Sequence, residues 1–376
     1  MRSIKRGTEA MKISALETWP ANMTLSEPYN IAYEHVDSST NIFLKIATDR
    51  HIIGYGCAAP DLQITGETPE SVTNVLKDLV EPSIKGSDPL RTTMILEKLK
   101  PLMKGQPSAL AAVDMALYDI LGKACNQPLW RLLGGFRDRV KTSITIGIMS
   151  ELETVVHAWD MVKRGFKCLK LKGGIDVNSD IDRVMKVREA VGKDIEIRFD
   201  ANQGFSVDET IRFVKETGKA NLELIEQPTA KNQPNLLEKV TNRVQIPVMA
   251  DESLMTLRDA FRIARGGLAD MVNVKLMKVG GISEALQINA VARSARMEVM
   301  VGCMDESALA IAAGLHFALA RPNVRYADLD GHLGLKGDPF QDTVILRNGT
   351  LFPSHRPGLG LAPSHRWVSP GHVLNS

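Results

Sequence analysis

From Val140 onward, short apolar runs alternate with longer stretches in which apolar residues recur every third or fourth position. The short runs are "VKTSITIG", "CLKLK", "IEIRFDA", "LELIEQ", "IPVMAD", "MVNVKL", "EVMVGC" and "VRYADLD". Between them lie stretches with helical spacing, such as "NSDIDRVMKVREAVG", "GISEALQINAVARSA" and "ESALAIAAGLHFAL". Strands joined by helical crossovers make parallel sheets, and a series of this length predicts a closed β/α barrel. An open doubly wound sheet is the alternative. Against it, no Gly-rich phosphate fingerprint follows any of the runs.

Ahead of the barrel the rhythm differs. "NIFLKIAT" (41–48) and "IIGYGCA" (52–58) flank "DRH" and predict an antiparallel hairpin. "TPESVTNVLKDLVEPSI" opens on a Thr-x-x-Ser cap and continues with helical periodicity. The Ala- and Leu-rich stretch "PSALAAVDMALYDILGKACNQPLWRLLGG" predicts a further helix and stops at Gly134-Gly135. The expected division is an extension over 1–10 (with Met11 an alternative start), an α+β domain over 11–138, a barrel over 139–345 and a turn-rich tail over 346–376 that packs back on the first domain.

Composition narrows the function. Of 376 residues, 44% are hydrophobic and 24% charged, values ordinary for a globular enzyme. A formal charge of +2 provides no field to recruit nucleic acid or an anionic membrane. No apolar run approaches the roughly 20 residues that span a bilayer. "MRSIKRGTEA" is basic but has no apolar core, so no secretory signal is expected. The four cysteines are scattered with no CxxC pair, which predicts reduced thiols in the cytoplasm.

Candidate chemistry begins at "CLKLKGG". Alternate residues of a strand share a face, so Lys170 and Lys172 stand side by side with Leu169 and Leu171 opposite. On an outer surface this is only a solvated face. Inside a barrel, the paired charges lower a lysine pKa for proton transfer. Reactive groups of such barrels sit at the C-terminal ends of the strands. Those ends read Lys172, Asp200, Glu226, Asp251, Lys275, Asp305 and then Asp328 with Asp330. Three converging carboxylates, Asp200, Glu226 and Asp251, repel one another unless a cation joins them. All-oxygen ligands select a hard ion such as Mg²⁺, which keeps positions open for substrate. Lys172 and Lys275 fall on opposite sides of the barrel, with Lys170 beside one and Lys278 three residues beyond the other, each set to depress its neighbour's pKa.

The ordered motifs KxK, "DANQGF", "IEQP", "ADES" and "KLMKVGG" resemble the enolase superfamily, specifically its muconate-lactonizing-enzyme subgroup. The resemblance spans nearly the whole chain. It implies an α/β fold, a modified (β/α)7β TIM-like barrel with an N-terminal α+β capping domain. It also implies Mg²⁺ on Asp200, Glu226 and Asp251, with Lys172 and Lys275 as general acid/base lysines.

Strand eight narrows the family. "YADLDG" sets Asp328 and Asp330 two apart on one face, and paired buried acids want a cationic partner. The Asp-x-Asp resembles the signature of dipeptide epimerases, where it binds the substrate's α-ammonium group; "GCMDES" and "ITIGI" are similar to that family too. The partner is then a small-molecule dipeptide, with no nucleic acid or membrane, and the enzyme is expected to be a homo-oligomer. Family members acting on Ala-Glu carry an arginine in a capping loop. Aligning "EPYNIAYEH" on that loop at Pro28 puts Glu34 in the arginine's place. With Asp61 and Asp305 near it, the pocket suits cationic or uncharged dipeptides. The alternatives are an L-Ala-D/L-Glu epimerase, an N-acylamino acid racemase or o-succinylbenzoate synthase, or a catalytically inactive binding relative.

Overall fold

Three antiparallel strands open the computed structural model, which describes residues 10–31 and 35–362: β1 (Ile13–Asn30), β2 (His35–Thr48) and β3 (Ile53–Ala58), in the order β1-β2-β3. The hairpin of β2 and β3 matches the sequence reading, with His51 in its turn at φ 60°. β1 had no counterpart there. Its apolar residues do not alternate strictly, because the pairing with β2 slips between Ile13 and Ala15 and again between Thr24 and Tyr29. It also carries Pro20 and Pro28, which a strand tolerates at a sheet edge, and β1 is an edge. The extension over 1–10, apart from Ala10, lies outside the described residues, as does Glu34.

The following helical run starts where its cap predicts: Thr68 accepts from Ser71 N, and the Ser71 side chain returns the bond. The Ala-rich helix Pro107–Ala124 is buried on nearly all sides, because it lies between the capping sheet and the barrel. Small residues allow that approach. A Cβ at Gly56 would stand 1.9 Å from the Ala112 carbonyl oxygen, and backbone cannot move aside as a flexible side chain can. Gly56→Ala is therefore expected to destabilise the protein by about 3 kcal/mol, read as a lower urea midpoint. Gly218→Ala, where an added Cβ meets nothing within 4 Å, is the matched control and leaves the midpoint unchanged.

Two buried acids of this helix fasten the parts together. Asp114 Oδ2 accepts from Ile282 N at 2.5 Å, capping the barrel helix Ile282–Ser294 from the neighbouring domain. Asp119 Oδ2 accepts from Tyr55 N (3.0 Å) and Lys123 Nζ (2.6 Å), while its Oδ1 accepts from Leu359 N (2.9 Å). One side chain thus joins capping sheet, helix and C-terminal segment.

The barrel follows. After β4 (Val140–Lys141) come β5 (Ile144–Ile146), β6 (Cys168–Lys172), β7 (Glu196–Asp200), β8 (Ile225–Glu226), β9 (Val248–Ala250), β10 (Met271–Lys275), β11 (Glu298–Gly302) and β12 (Val324–Asp328). β5 to β12 form one sheet of eight parallel strands in sequence order. It closes where Thr142 bridges Ala327 and Ser143 N donates to the Ala327 carbonyl at 3.1 Å. This is the expected barrel and not an open sheet. The tail divides its contacts: β13 (Val344–Arg347) and β14 (Thr350–Pro353) build a small antiparallel sheet on β4, and the segment after them reaches Asp119. No helix among the described residues is long and apolar enough to cross a membrane.

Candidate active site

Strand parity decides what faces the barrel axis. On β6, Leu169 and Leu171 are buried outward, while Lys170 and Lys172 point inward and share one acceptor, Asp200 Oδ2, at 3.1 and 2.8 Å. The two lysines are thus side by side inside the barrel. β7 and β8 end on Asp200 and Glu226, paired in register, and Asp251 follows β9. One oxygen from each of Asp200, Glu226 and Asp251 lies within 4.8 Å of the others, and all three residues are buried.

Strong charge coupling results. Burial and the Asp200 charge push the Glu226 carboxyl up to about 8. Burial also raises Asp200 and Asp251, yet adjacent ammonium groups outweigh it: Lys172 and Lys170 hold Asp200 below the usual range, and Lys275 with Lys278 hold Asp251 far below it. Glu226 Oε2 is buried and accepts no hydrogen bond among the described residues, although Lys170 Nζ lies 2.9 Å away without alignment. Converging hard oxygens, one of them unsatisfied, are a donor set that fits Mg²⁺, whose bond lengths of about 2.1 Å require such spacing.

Lys275 ends β10, four strands around from β6 in the order of the eight, so it stands opposite Lys172. Both line one cavity of about 610 Å³ between capping domain and barrel. Burial lowers the Lys275 pKa, but the Asp251 carboxylate 2.8 Å away raises it well above the ordinary lysine value. The Asp251 carboxylate thus outweighs the like charge of Lys170 at this ammonium. Lys278 shares that carboxylate with Lys275. Its ammonium binds the Asp251 carboxylate and the Asp251 carbonyl, behind the cluster, where it anchors that carboxylate.

The strand-eight acids separate. Asp328 is already engaged: Oδ2 accepts from Lys170 Nζ (2.8 Å) and Oδ1 from Ser143 Oγ (2.6 Å). Asp330 Oδ2 accepts from Thr145 N (2.6 Å), and its other oxygen has, among the described residues, the Cys303 thiol at 3.9 Å. Burial and Asp328 push Asp330 up to about 6. Both acids line the cavity. Asp305 lines it too, held by the Tyr29 hydroxyl (2.8 Å), while Ser39 Oγ donates to its carbonyl (2.7 Å). Asp61 lines the same cavity from the capping domain, although its Oδ1 is turned to Gln63 N and Ile64 N of its own loop.

Residues 14–134 match the mandelate racemase / muconate lactonizing enzyme N-terminal domain, and residues 153–367 match the enolase C-terminal domain-like family. The chain belongs to the enolase superfamily. Within that superfamily it falls in the muconate-lactonizing-enzyme subgroup. It is 38% identical to the L-Ala-D/L-Glu epimerase of Bacillus subtilis, over 93% of this chain and 97% of that one. It is also 38% identical to the L-Lys-D/L-Arg epimerase of Desulforapulum autotrophicum, over 93% and 99%. The crystal structure of the dipeptide epimerase from Enterococcus faecalis with Mg and L-Leu-L-Tyr superimposes with a TM-score of 0.90 at 35% identity, covering 93% of this chain and 99% of that one.

Several neutral residues of the superfamily motifs escaped the sequence reading. Gln227, after Glu226, accepts from Asp251 N (2.9 Å) and Ser253 N (3.1 Å), tying two neighbouring strand ends together. Asn273 donates to Glu226 Oε1 at 2.7 Å and Asn202 N donates to Asp200 Oδ1 at 2.9 Å. Gln227 and Asn202 stand inside "IEQP" and "DANQGF", and Asn273 shares a face with Lys275 two residues on. Those positions were the available signal. Glu252, in "ADES", also lines the cavity, with a buried Oε2 that has no hydrogen-bond partner among the described residues.

Proposed function

We propose that the chain is a Mg²⁺-dependent dipeptide epimerase, inverting the α-carbon of the C-terminal residue of an L,L-dipeptide. The observation that supports this most is the opposition of Lys172 and Lys275 across the carboxylate cluster in one cavity. A divalent ion bound by Asp200, Glu226 and Asp251 supplies Lewis-acid charge to a substrate carboxylate, whose negative charge grows as the adjacent carbon loses its proton. One lysine, as the free amine, takes the α-proton from its face. The opposite lysine, as ammonium, returns a proton to the other face, and the two exchange roles for the reverse epimer. Lys170 adds a fixed positive charge beside the same carboxylates. Asp330, with one oxygen held by Thr145 N, offers the other to the α-ammonium of a free dipeptide. Free thiols at all four cysteines favour a cytoplasmic setting.

For the side chain, the reading is a cationic or uncharged dipeptide. Asp305 and Asp61 face the same cavity, and like-charge contact disfavours a glutamyl substrate. Arg164 also lines the cavity. The test is a panel of Ala-Glu against Lys- and Arg-containing dipeptides in D₂O, read by mass spectrometry, with free and N-acetylated forms. Cationic dipeptides are expected to exchange fastest and N-acetylated ones hardly at all. Asp330→Asn should weaken turnover of free dipeptides and leave Mg²⁺ affinity unchanged. Equal turnover of N-acetylated forms would overturn the role of Asp330, and a preference for Ala-Glu would shift the side-chain contact to Arg164.

A further inference from the structure

The interior of such a barrel is ordinarily filled by branched apolar side chains. Here the largest fully buried side chain among the described residues is Arg198, two residues before Asp200 on the same inward face of β7. Leu224, Met249, Met271 and Met300 form an apolar cluster in the same barrel, so a methionine or leucine at this position would have neighbours to pack on. Burying a guanidinium is costly unless it is paired, and apolar replacement of buried ion pairs often stabilises. A buried arginine here calls for a reason beyond stability.

Its contacts supply one. Arg198 Nε donates to Glu223 Oε2 at 2.7 Å, on the side away from the carboxylate cluster. Nη1 donates to the Ala327 carbonyl at 3.0 Å and to Ser143 Oγ at 3.3 Å. Ser143 Oγ in turn donates to Asp328 Oδ1 at 2.6 Å, and Lys170 Nζ donates to Asp328 Oδ2 at 2.8 Å. Lys170 then lies 2.9 Å from Glu226 Oε2 and 3.1 Å from Asp200 Oδ2. The route Glu223–Arg198–Ser143–Asp328–Lys170 is a continuous set of polar contacts through the barrel. It grips β12 twice, by the carbonyl just before Asp328 and by the Asp328 carboxylate itself.

We propose that Arg198 is a positioning residue: through Ser143 and the Ala327 carbonyl it fixes the Asp328 carboxylate, and through Asp328 it holds the Lys170 ammonium between Asp200 and Glu226. Asp328 is then a support for Lys170 as well as part of the cavity wall it shares with Asp330. The inference rests on the epimerase reading for its kinetic effect, but not for its geometry.

The test compares Ser143→Ala, Ser143→Thr, Arg198→Lys and the double variant Ser143→Ala/Arg198→Lys in the full-length protein. Hydrogen bonds to charged groups set the scale, so Ser143→Ala is expected to lower kcat roughly 10- to 100-fold with KM changed less than about 3-fold. Ser143→Thr restores most of the loss, since the hydroxyl returns. The double variant is slower than Ser143→Ala by less than the loss Arg198→Lys causes alone, because without the hydroxyl Arg198 keeps only the Ala327 carbonyl as its route to Asp328. Mg²⁺ affinity, measured by calorimetry without dipeptide, falls in the same order, since an ill-placed Lys170 repels the cation more. Wild-type kcat in Ser143→Ala, independent multiplying losses in the double variant, or losses that merely follow the melting temperature would each overturn the proposal. If the wild-type protein binds Mg²⁺ yet turns over no dipeptide, the functional reading fails, while the order of Mg²⁺ affinities still decides the positioning role.

Discussion

Lys172→Ala and Lys275→Ala each abolish net epimerisation, with losses of roughly 10²- to 10⁴-fold, the range of a positioned acid or base. The two variants differ in what they keep. The lysines stand on opposite strands of the barrel, β6 and β10, so each variant retains a base on one face of the substrate carbon. Each should still exchange the α-proton of one epimer with solvent D₂O, and the retained epimer should be opposite in the two. Nuclear magnetic resonance of the L,L and L,D dipeptides, incubated separately, reads both exchanges. If one variant turns over like the wild type, its lysine has no part in proton transfer. If both retain exchange of the same epimer, the two-faced arrangement is wrong.

Asp251→Asn strikes the cation directly. Loss of a supporting hydrogen bond near a metal costs 10- to 100-fold in affinity or activity, so loss of a charged ligand should weaken Mg²⁺ by about 100-fold or more. Added Mg²⁺ is expected to restore activity only in part, because Asp251 also pairs with Lys275 at 2.8 Å and binds Lys278. Removing its charge leaves two buried ammonium groups short of a partner. Calorimetric titration of Mg²⁺ and activity against Mg²⁺ concentration measure the two effects separately. Full activity of chelator-treated wild-type protein would remove the metal from the reaction.

Much of this was legible in the residues, and the reason is periodicity. A barrel repeats one unit, so the ends of successive runs line up in space in chain order; that is why the sequence places Lys172, Asp200, Glu226, Asp251 and Lys275 at successive strand ends of one barrel. Parity along a strand put Lys170 inside by its relation to Lys172. The same parity applied to Arg198 and Asn273, each two residues before a strand-end charge, and its use there would have found both. What parity cannot give is the partner of each charge. Lys278 lies near Lys275 in sequence, but nothing there shows that both ammonium groups bind one carboxylate, Asp251, to which a short helical turn after β10 returns Lys278. Likewise Asp328 and Asp330 look equivalent in "ADLDG", and only the depth of Ser143 and Lys170 against one of them tells them apart. β1 was hidden for another reason. Bulges break its alternation and its prolines mimic loop chemistry.

The triple attachment at Asp119 carries a consequence for the order in which the molecule is made. Its buried carboxylate accepts from Tyr55 N and from Leu359 N, and Leu359 lies 240 residues beyond Asp119 itself. Synthesis at roughly 5–20 residues per second separates Asp119 from this late donor by about 12–48 s. Throughout that interval the nascent capping domain holds an acceptor oxygen whose native donor has not yet been translated. The capping domain therefore leaves the ribosome before the barrel yet reaches its finished form after it, because the segment that completes it arrives only once the whole barrel has been threaded out.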